Sequence, residues 1–238
     1  MKKTLTLIVG GLLAASLGVA QAADHAAAKA EAWTPGALQK ALAGMPKGDA
    51  TRGKTLNTQL MCASCHGDVG LAPTHNWPHT AGQRAEYTYK MLLDYKSGLR
   101  NDGERARLMN TVAAIMSEQD MADVAAYYAA QPLPAPLPQS LPADVYAKTD
   151  ALVRQGDPTR LITPCAACHG LHGQGGFNET PALAGQNPQA FIRTMQAYKD
   201  GSRHNDTNKG MAQFAERLTN EEIEHLAAYY ASQVAPAK

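Results

Sequence analysis

The chain has 238 residues, of which 45% are hydrophobic and 6% are aromatic, and its formal net charge is +1. Basic and acidic side chains are nearly equal in number in both halves of the sequence, so the chain lacks the polycationic surface that nucleic-acid binding requires. After residue 22 no stretch is apolar enough to span a membrane, which leaves peripheral association as the kind of membrane contact that the mature sequence allows.

Residues 1–22 predict a secretory signal peptide. Two lysines are followed by an apolar run and by the small-residue triplet Ala20-Gln21-Ala22. An uncleaved membrane anchor is the alternative, although the run is shorter than the roughly 20 residues that a spanning helix needs. We expect cleavage after Ala22 and an exported chain that begins with an extension over residues 23–47.

The rest of the chain predicts two helical domains, residues 48–131 and 143–238. Residues 132–142 between them are rich in proline, which favours an extended linker and cannot continue a helix. Apolar residues at helical spacing and the cap sequences that begin at Ser117 and Thr219 predict three helices in each domain. These helices cover about 49–60, 85–96, 117–131, 143–155, 188–200 and 220–233. No segment alternates in the manner of a β-strand, so the predicted fold is all-α.

The two domains are copies of one sequence. Cys62 and Cys165 are offset by 103 residues, and the same offset pairs the tripeptide Ala-Gly-Gln and a Tyr-Lys-x-Gly-x-Arg segment in both halves. After a one-residue deletion, the sequence Ala-Ala-Tyr-Tyr-Ala also recurs near both ends. A period of this length fits a duplicated small domain rather than a solenoid repeat.

Each copy contains a Cys-x-x-Cys-His motif, and the two motifs hold all four cysteines of the chain. Their residues are Cys62, Cys65, His66, Cys165, Cys168 and His169. Disulfides within such close pairs would stabilise little, because the stabilisation grows with loop length. Three other chemistries use this motif. A zinc site would need a further ligand, and a redox dithiol would need a βαβ context. Attachment of a c-type haem would use both thiols and the histidine. Two copies in an exported helical chain favour haem, which would also fill cores poor in large apolar residues.

An electron-carrying iron takes a second axial ligand, and methionine in that place raises the reduction potential relative to histidine. Met109 and Met211 follow the histidines of the two motifs by 43 and 42 residues and are at equivalent places in the two copies. Met116 is the rival in the first domain, but it aligns with Leu218, which cannot bind iron.

Other residues near the motifs are also candidates. His75 and His79 have no counterparts in the second copy, and they leave open a second histidine ligand for the first iron. Pro78 and Pro181 each follow the motif histidine by 12 residues, so a carbonyl near either turn could accept the second N–H of that histidine. An ordinary turn proline is the alternative.

With these features, each copy resembles a class I cytochrome c. The tandem arrangement, with CAACHG, ALAGQ, YKDGSR and LAAYYA, is similar to the dihaem cytochrome c4 family over about residues 48–234. The resemblance implies two class I cytochrome c domains, two covalently attached haem c groups and a periplasmic location. The residues that it implies are the thioether cysteines Cys62, Cys65, Cys165 and Cys168, the iron ligands His66, Met109, His169 and Met211, and the orienting prolines Pro78 and Pro181.

The resemblance implies an electron carrier between a donor dehydrogenase or quinol oxidoreductase and a terminal oxidase or reductase. Two alternatives stay open. One is a dihaem enzyme, such as a peroxidase or a thiosulfate dehydrogenase, and the other is a dedicated electron-transfer subunit of a sulfur-oxidising dehydrogenase. A passive sensing module is a weaker third reading, because two irons with filled axial positions bind ligands poorly. The extension over residues 23–47 departs from the family pattern.

Overall fold

The structure, a computed structural model, describes residues 31–177 and 179–235. The predicted signal peptide over residues 1–22 lies outside the described residues, as do residues 23–30 of the extension. Within the described part the backbone forms eleven α-helices joined by turns and irregular segments, and its one isolated β-bridge pairs Asp157 with Ile162. The predicted all-α fold is confirmed.

The first six α-helices precede the proline-rich linker, and the other five follow it. They are α1 (Pro35–Ala43), α2 (Ala50–Gln59), α3 (Ala63–His66), α4 (Ala85–Ser97), α5 (Glu104–Ala114), α6 (Glu118–Ala129), α7 (Ala143–Gln155), α8 (Cys165–His169), α9 (Pro188–Lys199), α10 (Ala212–Ala215) and α11 (Asn220–Ala231). Short 3-10 turns cover Pro158–Arg160 and Thr207–Lys209.

The closing helix of each half organises a separate core. In the first half α6 packs against α2 and α4, around buried Tyr89, Met116 and Met121. In the second half α11 packs against α7 and α9, around buried Ile223 and Tyr229. The two cores therefore have the same plan, as the duplicated sequence predicts.

The predicted caps of the closing helices are confirmed. Ser117 and Thr219 each accept a hydrogen bond from the third helical residue, whose carboxylate accepts one from the backbone of the cap residue. Gly156 ends α7 with a φ of 73°, as its place in the sequence suggested. Helices α1 and α5 were not predicted, and α5 contains Met109.

One tight turn recurs in both halves and joins the motif loop to the closing helix. The Gly82 backbone N–H donates to the Tyr128 carbonyl at 2.8 Å, and the Gly185 N–H donates to the Tyr230 carbonyl at 2.9 Å. Both glycines have a φ near 67°, where glycine is favoured. A Cβ atom on Gly82 would also lie 2.7 Å from the backbone nitrogen of Leu133, so the segment after α6 runs directly over this turn.

The extension helix α1 contacts both halves of the molecule. Trp33, just before α1, donates from its indole nitrogen to Asp94 in α4 at 2.5 Å. Leu38 of α1 is buried, and α1 also contacts the 3-10 turn at Thr207–Lys209 of the second half. The extension thus packs across the junction between the domains.

Candidate functional site

Each Cys-x-x-Cys-His motif forms one short helical turn. Cys62 immediately precedes α3, which ends at His66, and α8 spans the whole second motif from Cys165 to His169. A glycine with positive φ follows each histidine and ends the helical turn. The first cysteine of each motif lies three residues before the second and four before the histidine, so it is a neighbour of both on the helical turn.

No disulfide joins the four cysteines. Burial raises the pKa of Cys62 and of Cys165, which favours the neutral thiol. In the described part of the chain, no group of three or more His, Cys, Asp or Glu side chains is placed to hold a metal ion. The thiols are therefore suited to covalent attachment of a group rather than to direct metal binding.

The two motif histidines have the same buried environment. His66 Nδ1 lies 2.9 Å from the Pro78 carbonyl oxygen, and His169 Nδ1 lies 3.0 Å from that of Pro181. A carbonyl oxygen can only accept, so Nδ1 carries the proton in both rings and the lone pair stays on Nε2. Burial lowers the pKa of both imidazoles, although the bond to proline opposes this effect, and both rings are held neutral.

This arrangement fits an iron ligand. A neutral imidazole whose Nδ1 proton is held by a backbone carbonyl is the usual form of a metal-binding histidine, because the bond fixes the tautomer and the ring orientation. His79 directly follows Pro78, whose carbonyl binds Nδ1 of His66. Its own ring accepts a hydrogen bond from the Ala72 N–H at 2.9 Å. His75 is exposed. The geometry thus gives no support to a second histidine ligand from this loop.

The candidate methionines are half-buried but lie in different backbone settings. Met109 is inside α5 and packs against the first core, and Met211 directly precedes α10 and packs against the second. The Met211 backbone N–H donates to Asp206 at 2.8 Å. Sequence alignment paired the two residues without revealing this difference.

Met116 occupies a core position. Its side chain is 1% exposed and belongs to the first apolar core, as Leu218 belongs to the second. The Met116 carbonyl accepts a hydrogen bond from Lys96, and the Leu218 carbonyl accepts the matching one from Lys199. The two residues are structurally equivalent, which favours a packing role for Met116.

A buried polar cluster joins the two halves, and sequence reasoning did not find it. Asp94 is fully buried and accepts hydrogen bonds from Lys90 at 2.7 Å and from Asn205 of the second half at 2.6 Å. Lys90 also donates to the Asn205 carbonyl at 2.5 Å. The sequence signal was weak, because Lys90 and Asp94 look like an ordinary i, i+4 surface pair on a helix.

Two arginines beside this cluster come from the repeated Tyr-Lys-x-Gly-x-Arg segment. Arg100 pairs with Asp102, whereas Arg203 is 2% exposed and forms no ion pair with any described residue. Arg203 instead lies over the Tyr198 ring and donates to Asn205. Buried guanidinium groups pair well with carboxylates, so this site fits a bound group that carries them. Haem has two carboxylate side chains, and the donor set of the two motifs and these arginines fits that group.

Two family models match the chain in succession. The family described as "Cytochrome c" matches residues 50–130, and "Cytochrome C oxidase, cbb3-type, subunit III" matches residues 161–229. A cytochrome c4 from Thiocapsa roseopersicina is 32% identical over 171 residues, which cover 71% of this chain and 85% of that protein. A thiosulfate dehydrogenase electron acceptor from Stutzerimonas stutzeri is 34% identical over 186 residues, covering 76% of this chain and 83% of that one.

A solved structure has the same fold. The crystal structure of reduced recombinant cytochrome c4 from Pseudomonas stutzeri superposes with a TM-score of 0.67 at 27% sequence identity. The match covers 79% of this chain and all of the other. The likeness therefore extends over most of this chain.

Proposed function

Because this chain belongs to the dihaem cytochrome c4 family, we propose that it carries single electrons between redox proteins through two irons, each bound by one histidine and one methionine. Family membership gives the chain two covalently attached haem c groups, one for each domain, and a role in electron transfer rather than catalysis. When bound, each haem supplies a one-electron couple between ferric and ferrous iron. The side chains around it hold it, orient its ligands and exclude water.

The proposed roles of the residues follow from their chemistry. The thiols of Cys62 and Cys65 would attach one haem and those of Cys165 and Cys168 the other, and Nε2 of His66 and Nε2 of His169 would each bind the iron of its own domain. The thioethers of Met109 and Met211 would supply the second ligand to the first and the second iron. Filled axial positions leave no place for a substrate at either iron, which is what an electron carrier requires.

One observation carries this proposal. In both domains, a buried neutral histidine that follows a cysteine pair donates Nδ1–H to the carbonyl of a proline 12 residues later, at 2.9 and 3.0 Å. This contact presents the Nε2 lone pair of each ring in a fixed direction. Its repetition at equivalent positions supports two irons with the same kind of ligand.

Magnetic circular dichroism of the oxidised protein, matured with haem in a periplasm, tests the ligation. We expect two low-spin haems per chain, each with a methionine-to-iron charge-transfer signal. One high-spin haem would instead support a dihaem enzyme with an open iron, and one bis-histidine haem would remove Met109 or Met211 from the ligand set.

For the partners, we infer a periplasmic donor dehydrogenase or quinol oxidoreductase and a terminal oxidase or reductase as acceptor. No described helix combines the length and apolar character that a membrane span requires. The relative named as a thiosulfate dehydrogenase electron acceptor supports a second candidate, in which a thiosulfate-oxidising dehydrogenase is the donor.

Rapid-mixing absorption measurements separate the two donors. The oxidised protein is mixed with a purified thiosulfate dehydrogenase and thiosulfate, or with a quinol-oxidising complex and quinol. If only the thiosulfate dehydrogenase reduces the haems fast enough to sustain its turnover, the donor is a sulfur-oxidising enzyme. Fast reduction by the second alone would identify a quinol-linked carrier.

A further inference from the structure

Two glutamines make reciprocal hydrogen bonds across the domain junction. Gln83 of the first domain accepts from the Ala182 N–H at 2.8 Å and donates to the Ala182 carbonyl at 3.0 Å. Gln186 of the second domain accepts from the His79 N–H at 2.8 Å and donates to the His79 carbonyl at 3.0 Å. The two glutamines are the last residues of the repeated Ala-Gly-Gln tripeptides, so the duplicated sequence builds the same contact twice in opposite directions.

The residues held by the glutamines directly follow the prolines that bind the motif histidines. The Pro78 carbonyl and the His79 N–H belong to one peptide group, and so do the Pro181 carbonyl and the Ala182 N–H. The carbonyl end of each group accepts from a histidine of its own domain, and the N–H end donates to a glutamine of the other domain. One peptide group therefore lies between each histidine and the opposite domain.

The glutamine side chains are fixed in place. The Gln83 carbonyl oxygen also accepts from the Arg84 N–H at 2.8 Å, and that of Gln186 accepts from the Asn187 N–H at 2.9 Å. These N–H groups lie directly before α4 and α9. Gln83 is 7% exposed, so water has little access to this contact. Each amide is thereby held against the opposite peptide by its own helix.

We propose that Gln83 and Gln186 are positioning residues that tune the iron ligand of the opposite domain, Gln83 acting on His169 and Gln186 acting on His66. The inference rests on the proposed histidine ligation. A peptide N–H that donates a hydrogen bond polarises its own group, which makes the carbonyl oxygen a stronger acceptor. A stronger acceptor on Nδ1–H makes the imidazole a more basic ligand. More basic ligands favour ferric iron, so each glutamine lowers the reduction potential of the haem in the other domain.

The test uses the haem-loaded full chain with Gln83→Leu and Gln186→Leu, which replace the amide by an apolar side chain that is one atom shorter. NMR-monitored redox titration follows each haem separately through the methyl signal of its axial methionine. We expect Q83L to raise the potential of the second haem and Q186L that of the first. The expected change in the ferric-to-ferrous equilibrium is about twofold to tenfold, where tenfold corresponds to about 59 mV for a one-electron couple. In the reduced protein, the Nδ1–H resonance of the opposite histidine should move upfield as its hydrogen bond weakens.

Asn187→Ala is the control for the junction: it keeps the backbone N–H that holds Gln186, and it also removes the side-chain cap of α9. Asn187 donates across the same junction to the Trp77 carbonyl at 3.0 Å and to the Thr74 carbonyl at 3.2 Å, but it does not touch the peptide after Pro78. We expect it to leave the potential of the first haem unchanged. The proposal would be overturned if N187A shifted the potential of the first haem as much as Q186L does, or if Q83L shifted the potentials of both haems. Either result would show that a looser junction, and not the peptide contact, changes the potential.

Two further outcomes would also overturn it. A shift confined to the haem of the glutamine's own domain would show an effect through α4 or α9, and no shift in either variant would show that the contact does not affect the iron. Failure of the proposed ligation is a separate result, because the wild-type protein would then lack one or both of the axial methionine signals.

Discussion

The imidazoles of His66 and His169 each have one nitrogen bound to a proline carbonyl and one left with a lone pair. The Cys-x-x-Cys-His motif fixes which residues are present, but it does not determine which ring nitrogen of the histidine carries the proton. Pro78 and Pro181 determine this from a turn 12 residues away. At the residue scale, a backbone carbonyl thus determines which nitrogen is available to iron.

Removal of each candidate methionine should change one haem only. In the haem-loaded protein, Met109→Ala and Met211→Ala should each convert one low-spin haem to high spin and lower its reduction potential, because the thioether raises the potential. Magnetic circular dichroism and a redox titration measure both effects.

Met116→Leu is the control for the first domain. Met and Leu have similar volumes, and a swap of this kind in a core costs less than about 1.5 kcal/mol. We expect both methionine-to-iron signals to persist. Loss of the first-domain signal in M116L, with its retention in M109A, would make Met116 the ligand and would reverse the assignment.

At the scale of elements, the close approach of α2 to α6 depends on the absence of a side chain at Gly53. A Cβ atom there would lie 2.0 Å from the Asp123 carbonyl oxygen and 2.8 Å from the Tyr127 Cβ. The obstacle is backbone, which cannot move without displacing the helix. Gly53→Ala should therefore lower the free energy of unfolding by about 1–3 kcal/mol or more, measured by urea denaturation.

Gly36→Ala in α1 makes the same chemical change where nothing lies within 4 Å of the new Cβ. It should be neutral or should stabilise by about 0.4–1 kcal/mol, since alanine has less freedom than glycine in the unfolded chain. Equal effects at the two positions would show that helix propensity, and not the contact between α2 and α6, sets the result.

Arg160 ties the 3-10 turn at Pro158–Arg160 to the start of α11. Its guanidinium pairs with Asp157 at 2.6 Å and with Glu222 at 2.7 Å. Hydrogen bonds from Thr159 and Arg160 lower the pKa of Asp157 to about 2, and the bond from Arg160 lowers that of Glu222.

Carboxylates with depressed pKa values stabilise the fold above their unfolded pKa values, which are about 3.9 for Asp and 4.3 for Glu. This stabilisation is lost as the pH falls through the folded values. Arg160→Met should therefore be less stable than the wild type near pH 6, and the difference should disappear between about pH 4 and pH 2. Urea denaturation across this range measures it.

Arg107→Met is the matched control, because Arg107 is exposed and forms no ion pair with any described residue. Its stability should follow that of the wild type at every pH. A difference for R160M that stayed constant down to pH 2 would mean that packing of the arginine stem, rather than its charge, stabilises the turn.

The helices differ in how readily the sequence revealed them. The cap sequences at Ser117 and Thr219 act within four residues, so their helices could be predicted and were found at those places. Helix α1 had comparable signals in Thr34, which caps it, and in Pro35 at its first position. Helix α5 begins after Gly103 with no side-chain cap, so its sequence gave little local indication of a helix.

At the scale of the whole molecule, the duplication predicted two domains but not how they meet. The contact of Gln83 with Ala182 joins residues 99 positions apart, and that of Lys90 with Asn205 joins residues 115 positions apart. No local pattern encodes such pairs, because either partner alone resembles a surface residue. The repeated Ala-Gly-Gln tripeptides indicated the duplication, but nothing in the sequence indicated that their glutamines contact the opposite domain.

The extension helix should stabilise the junction through Trp33. Its indole N–H donates to Asp94, which is fully buried and also bonds to Lys90 and to Asn205 of the second domain. Trp33→Phe keeps an aromatic ring but removes the donor, which leaves a buried carboxylate oxygen without that partner. Loss of such a bond costs about 1–3 kcal/mol. We therefore expect the free energy of unfolding of the haem-loaded protein to fall by that amount.

This prediction concerns both domains, because Asp94 lies where they meet. Hydrogen exchange measured by NMR should show faster opening around α4 and also around Asn205, although Trp33 precedes the first domain. Thr34→Ala provides the comparison, since it removes the cap of α1 and costs about 0.5–2 kcal/mol without removing the Trp33 donor. Faster exchange in W33F that was confined to the first domain would show that the extension stabilises that domain alone and does not hold the two together.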